Sequence, residues 1–158
     1  MLTSKQWTFS DGQDVAATAI STNVYTNGPT EGTNTVDLGA GMQLHGLVQV
    51  GDDVTASGSA TVNIQFVSAT DNALSSGVRV HWETGAIAKA ALVAGWETTF
   101  KLPVSGGTAG AYQDFVGFNY VVATGPLTGT GGQFRALVTA AHPDANLTPF
   151  ESGQNWHS

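Results

Sequence analysis

From Thr61 to Ser68 apolar and polar residues alternate, with Val62, Ile64 and Phe66 on one face and Asn63 and Gln65 on the other. That period of two marks a strand with one buried face. The same rule places Val78, Val80 and Trp82 opposite Arg79 and His81, and Phe134, Ala136 and Val138 opposite Arg135, Leu137 and Thr139. Leu44–Val50 and Phe115–Ala123 are more continuously apolar, as expected of central strands covered on both faces by the opposing sheet, a loop or a second subunit. Weaker runs at Gln6–Phe9, Val15–Ile20, Thr35–Leu38 and Glu97–Leu102 bring the expectation to about nine strands. Turn chemistry separates them: Asp11-Gly12, Asn27-Gly28-Pro29, Gly51-Asp52, Ser57-Gly58, Ser105-Gly106-Gly107, Gly125-Pro126 and Gly131-Gly132. Only Gly85–Gly95, GAIAKAALVAG, has helical composition. Its length allows a short crossover helix or a loop anchored by Leu92.

These runs predict an all-β fold, a two-sheet β-sandwich forming a single domain over residues 1–140. Beyond Ala141 the period is lost, and residues 141–158 read as an extended C-terminal tail that still carries Phe150 and Trp156. Such a tail folds back over an edge strand of its own sandwich, frays as termini do, or grips a neighbour. The last use is favoured by the Trp, whose exposure would forgo roughly 1.5–3 kcal/mol of burial free energy. Trp7 and Phe9 form the matching pair at the other end; both fall on one face of a terminal strand, which favours core packing over a contact.

Composition narrows the function. The 158 residues include 20 glycines and no cysteine, and only 11% are charged against a usual ~25%. The surface is therefore rich in hydroxyl and amide groups, and neither a disulfide framework nor a thiolate site is available. A net charge of −7 repels polyanions on average, so nucleic acid is not an expected partner. The polar start MLTSKQWTFSDGQD lacks the apolar run of a signal peptide, and no stretch approaches the ~20 apolar residues that span a bilayer. We expect a soluble protein made in the cytoplasm, with no membrane partner.

Chemistry-bearing motifs are sparse. His45 and His81 fall inside strands and His142 and His157 in the tail, without the spacing of a zinc site. There is no G-x-S-x-G elbow, no phosphate-binding glycine fingerprint before a helix, and too few oxygen ligands around Asp52 and Asp53 for calcium. The expectation is no enzyme, no cofactor and no metal.

The segments TFSDGQDVAATAISTNV (Thr8–Val24), VDLG (Val36–Gly39), LVQVGDDVTASGSATVNIQFVSATD (Leu47–Asp71), GAIAKAALVAGW (Gly85–Trp96) and FVGFNYVVATGPLTGTGGQFRALV (Phe115–Val138) follow one another in an order that resembles the capsid cement, or decoration, proteins of tailed bacteriophages. The resemblance spans roughly residues 5–140. It implies a jelly-roll sandwich that associates with itself as a dimer or trimer, binds the major capsid protein on the outside of the virion shell, and bridges neighbouring capsomers. In that pattern STNV runs straight into DLG. Here YTNGPTEGTNT intervenes, a hydrophilic insertion at about 25–35 that is expected to be an exposed loop with Tyr25 at its base.

Candidate interface residues are accordingly Trp7, Phe9, Tyr25, Phe150 and Trp156. The rival reading is a carbohydrate-binding sandwich of a virion or cell surface, in which Trp82, Trp96 or Tyr112 would form an exposed stacking platform.

Overall fold

The computed structural model describes residues 7–27, 35–36, 43–129 and 132–139. Twelve strands are present among them: β1 (Thr8–Gln13), β2 (Ala19–Ile20), β3 (Tyr25–Asn27), β4 (Thr35–Val36), β5 (His45–Val50), β6 (Thr55–Ala56), β7 (Thr61–Ala69), β8 (Arg79–Ala88), β9 (Glu97–Lys101), β10 (Phe115–Ala123), β11 (Leu127–Thr128) and β12 (Phe134–Thr139). There is no α-helix among the described residues.

The first sheet runs β1-β12-β5-β9 and the second β4-β3-β10-β7-β8, with β2 also pairing β10. β2 and β3 lie along the same strand β10 and act as one strand interrupted near Ser21. Setting aside the two-residue β4, β6 and β11, eight strands remain. In chain order the first sheet then holds the first, eighth, third and sixth, and the second holds the second, seventh, fourth and fifth. Two interlocked Greek keys of this kind make a jelly roll, so the all-β sandwich is realised in that topology.

Inward residues of both sheets meet in an aromatic core. Phe66 and Phe118 of the second sheet lie 5.2 Å apart in edge-to-face contact, Phe9 of the first sheet reaches both, and Tyr120 packs on Phe134 at 4.9 Å. Offset and perpendicular ring pairs add to area burial through their quadrupoles. Trp82 stacks flat on Phe100 at 3.8 Å. That stack depends on Gly46, opposite Phe100 in the β5–β9 ladder, because a Cβ at Gly46 would lie 2.2 Å from the Phe100 ring.

A smaller core covers the outer face of the second sheet. Val67, Ala69 and Leu74 are buried there, with Ile20, Val24 and Phe115 packed around them. The β7–β8 connection folds back to supply Leu74, whose φ of 52° is held by the turn around it. The Asp71 carboxylate accepts the Ser75 and Ser76 amide N–H groups and the Ser75 hydroxyl. Gly117 lies beneath Leu74, where a Cβ would come within 2.7 Å of the leucine methyl.

Two sequence expectations are corrected, and of the two forms weighed for Gly85–Gly95 the loop anchored by Leu92 is the one realised. The alternation that put Val78, Val80 and Trp82 on one face is broken by a β-bulge: Phe66 pairs with Trp82 but Val67 pairs with Val80, which skips His81. Trp82 therefore turns inward while Val78 and Val80 are exposed. A bulge adds one residue to one strand and reverses the faces beyond it. The insertion at 25–35 is not all loop, since Tyr25–Asn27 pairs with β10 and Thr35–Val36 runs parallel to β3. In Gly85–Gly95 the first four residues complete β8, Lys89–Ala91 form one 3₁₀ turn, and Leu92 is a fully buried anchor. The tail, residues 141–158, lies outside the described residues.

Candidate functional site

Of the proposed contact residues, Phe9 lies on β1, Trp7 directly before it and Tyr25 on β3. Phe9 is fully buried and Tyr25 is 2% exposed, their rings 4.8 Å apart. The Tyr25 hydroxyl donates to the Thr8 carbonyl, which also accepts the Asn23 side-chain amide. Burial pushes the Tyr25 phenol above its usual range, and the Thr8 hydrogen bond works in the opposite direction. Phe9 and Tyr25 are thus core residues: of the two uses weighed for Phe9 core packing is the one realised, and Tyr25 is corrected from a contact residue to a core residue. A single aromatic inside a hydrophilic segment is buried here because β3 carries it under the sheet. Trp7 is half-buried against the same core, and its indole N–H is buried without an acceptor among the described residues. Phe150 and Trp156 lie outside the described residues.

The residues of the stacking-platform reading also turn inward. Trp82, Trp96 and Tyr112 are half-buried and packed on the core. The Tyr112 hydroxyl donates to the Pro103 carbonyl at 2.7 Å, and burial raises its pKa to about 12.

Two clusters of polar groups lie nearer the surface. On the outer face of the second sheet, Asn63 and Gln65 both donate to one Glu83 carboxylate oxygen, at 2.8 and 3.0 Å, and Asn119 donates to Gln65. These amides hold the Glu83 carboxyl below its usual range by favouring the charged form. At the sheet edge Ser68 Oγ and His81 Nε2 are 2.7 Å apart, and the imidazole packs on Tyr112 with ring centres 4.3 Å apart. Ser68 is fully buried. Its hydroxyl is closed to a substrate, so the Ser–His pair reads as a packing contact.

The first sheet ends in a recess of about 330 Å³ lined by Gln49, Val50, Gln133 and Arg135 together with Gly12, Gly51 and Gly95. Arg135 forms an exposed ion pair with Asp11 at 3.0 Å, and Gln49 donates to Glu97 at 3.0 Å. Nearby, the Asp53 carboxylate accepts the Ala94 N–H, an assignment of that turn carboxylate to holding a loop. Sequence reading missed the recess because its walls come from four separate segments and three of its seven lining residues are glycine. Among the described residues no group of three or more His, Asp or Glu is placed to hold a metal ion, and no helix is long and apolar enough to cross a membrane.

The Bbp16 family matches residues 9–138, which takes in the sandwich from β1 to β12. The chain belongs to the Bbp16 family. This is a phage-type family, in keeping with the all-β sandwich. No curated protein matches the chain.

Proposed function

We propose that this Bbp16-family protein is a structural virion protein, a cement or decoration protein that binds the outside of the phage major capsid shell and bridges neighbouring capsomers. The observation that carries the reading is the match to a phage-type family across the whole sandwich. The surface agrees with it. Exposed positions such as Thr99, Thr128, Asn23 and Ser76 are uncharged, and neutral polar groups cost less to desolvate against another protein than charged ones do. With Phe9 and Tyr25 in the core, the half-buried Trp7 and the tail residues Phe150 and Trp156 are the remaining aromatic anchors of the proposal. Self-association as a dimer or trimer belongs to the same reading. A ligand that binds only the intact shell stabilises it by mass action, by about 2.7 kcal/mol per site at a free concentration 100-fold above the dissociation constant.

The test is co-sedimentation of purified protein with shells of its own phage, alongside a search for the polypeptide in purified virions. Saturable pelleting and a defined copy number per particle are expected, and removing residues 142–158 is expected to weaken pelleting while the sandwich stays folded. Virions that lack the polypeptide, or shells that do not retain it, would sink the proposal.

A further inference from the structure

The recess at the end of the first sheet has the composition of a ligand site. Gly12, Gly51 and Gly95 leave its floor without side chains, and Gly12 and Gly95 have open space where a Cβ would project. Gln133 stands beside them with a φ of 47°, a left-handed conformation that a non-glycine residue rarely holds. Its backbone is fixed there because the Gly51 N–H donates to the Gln133 carbonyl. Its side-chain amide makes no hydrogen bond among the described residues, so one donor and one acceptor stay available at the recess.

The neighbouring groups are oriented but not exhausted. Gln49 uses its NH₂ on Glu97 and keeps its carbonyl oxygen. Arg135 directs Nε and one terminal nitrogen at the same Asp11 oxygen, which leaves its other terminal nitrogen and the second carboxylate oxygen. Donors and acceptors are therefore both available in the recess, beside three glycines and Val50. The guanidinium charge is already neutralised by Asp11, and Glu97 adds a negative charge at the rim, so an anion gains little here. A neutral ligand with several adjacent hydroxyls matches both features, since each hydroxyl donates and accepts at once.

We propose that this recess binds a neutral saccharide, a single pyranose or a chain end, through the side chains of Gln49, Gln133 and Arg135. Recognition is by hydrogen bonding without an aromatic platform, and the proposal is independent of the cement reading.

The experiment titrates the ¹⁵N-labelled full chain with glucose, galactose, N-acetylglucosamine, maltose and glucuronate, with a lysine-rich peptide as a separate arm. Saturable shifts are expected at the Gln133 and Gln49 side-chain amides and at the Gly12, Gly51 and Gly95 backbone amides with at least one neutral sugar, and weaker ones with glucuronate. Gln133→Ala should weaken binding by about fivefold or more while the rest of the spectrum stays unchanged, and Gln49→Ala serves if that variant does not fold. No saturable shift at these groups with any neutral sugar, undiminished affinity in the folded variants, or a response to the basic peptide alone would overturn the assignment.

Discussion

At the scale of single residues, the core is intolerant where backbone and ring meet. Gly46→Ala would drive a methyl group into the Phe100 ring and push it off Trp82. Overpacking of this kind costs about 1–3 kcal/mol, an effect that urea unfolding of the variant would register as a lower midpoint at unchanged slope. A neutral variant would mean that Phe100 has room to move. Tyr120→Phe tests a second contact, because the buried Tyr120 hydroxyl donates to Ser10, Ser10 donates to Gln13, and Gln13 donates to the Ile20 carbonyl. Loss of the first member should cost about 1 kcal/mol, measurable in the same assay. This chain of polar groups was not legible in the sequence, since Ser10, Gln13 and Tyr120 share no local pattern and meet only when β1 crosses the end of β10.

Elements were legible in proportion to their length. Thr61–Ala69, Phe115–Ala123, Glu97–Lys101 and Phe134–Thr139 form strands close to their expected bounds, because runs of five or more alternating or continuously apolar residues bounded by turn residues outweigh local propensity. The two-residue β6 and β11 fall below any periodic signal. The β7–β8 bulge was hidden for another reason: alternation counts residues, and a bulge changes the count without changing composition. The β7–β8 connection offers a test at this scale. Asp71→Ala removes the acceptor for Ser75 and Ser76, and amide exchange of residues 70–77 should accelerate while β7 and β10 keep their protection. Protonation acts the same way. The Ser75 hydroxyl and the two amides depress the Asp71 pKa, so its contribution is present above the ordinary carboxylate pKa and is lost as pH falls through the lower folded value. Uniform exchange across the loop at acid and neutral pH would contradict this.

For the whole molecule, the two-sheet sandwich could be anticipated from the alternating runs, whereas its jelly-roll order was implied only by the family resemblance and is visible in the strand order. The recess could not be anticipated, since it exists only where β1, β5, β12 and the turn before β9 converge. Tyrosine burial predicts the alkaline limit of stability. Tyr25, Tyr112 and Tyr120 all have phenol pKa values raised by desolvation. A raised folded pKa contributes stability that is complete below the unfolded value near 10 and is lost as pH rises through the folded one. Unfolding free energy should therefore fall from about pH 10 upward, and the Tyr112→Phe variant should fall less steeply. An identical slope in that variant would remove Tyr112 from the account.

The first and last long strands are neighbours, with Thr8 facing Leu137 in an antiparallel ladder. The polypeptide thus enters and leaves the body side by side at one end of the same sheet. Tension applied to both strand ends would peel β1 from β12 bond after bond, whereas a pull from opposite ends would load the ladder all at once. Any tether drawn through these two ends meets the weakest mechanical direction of that strand pair.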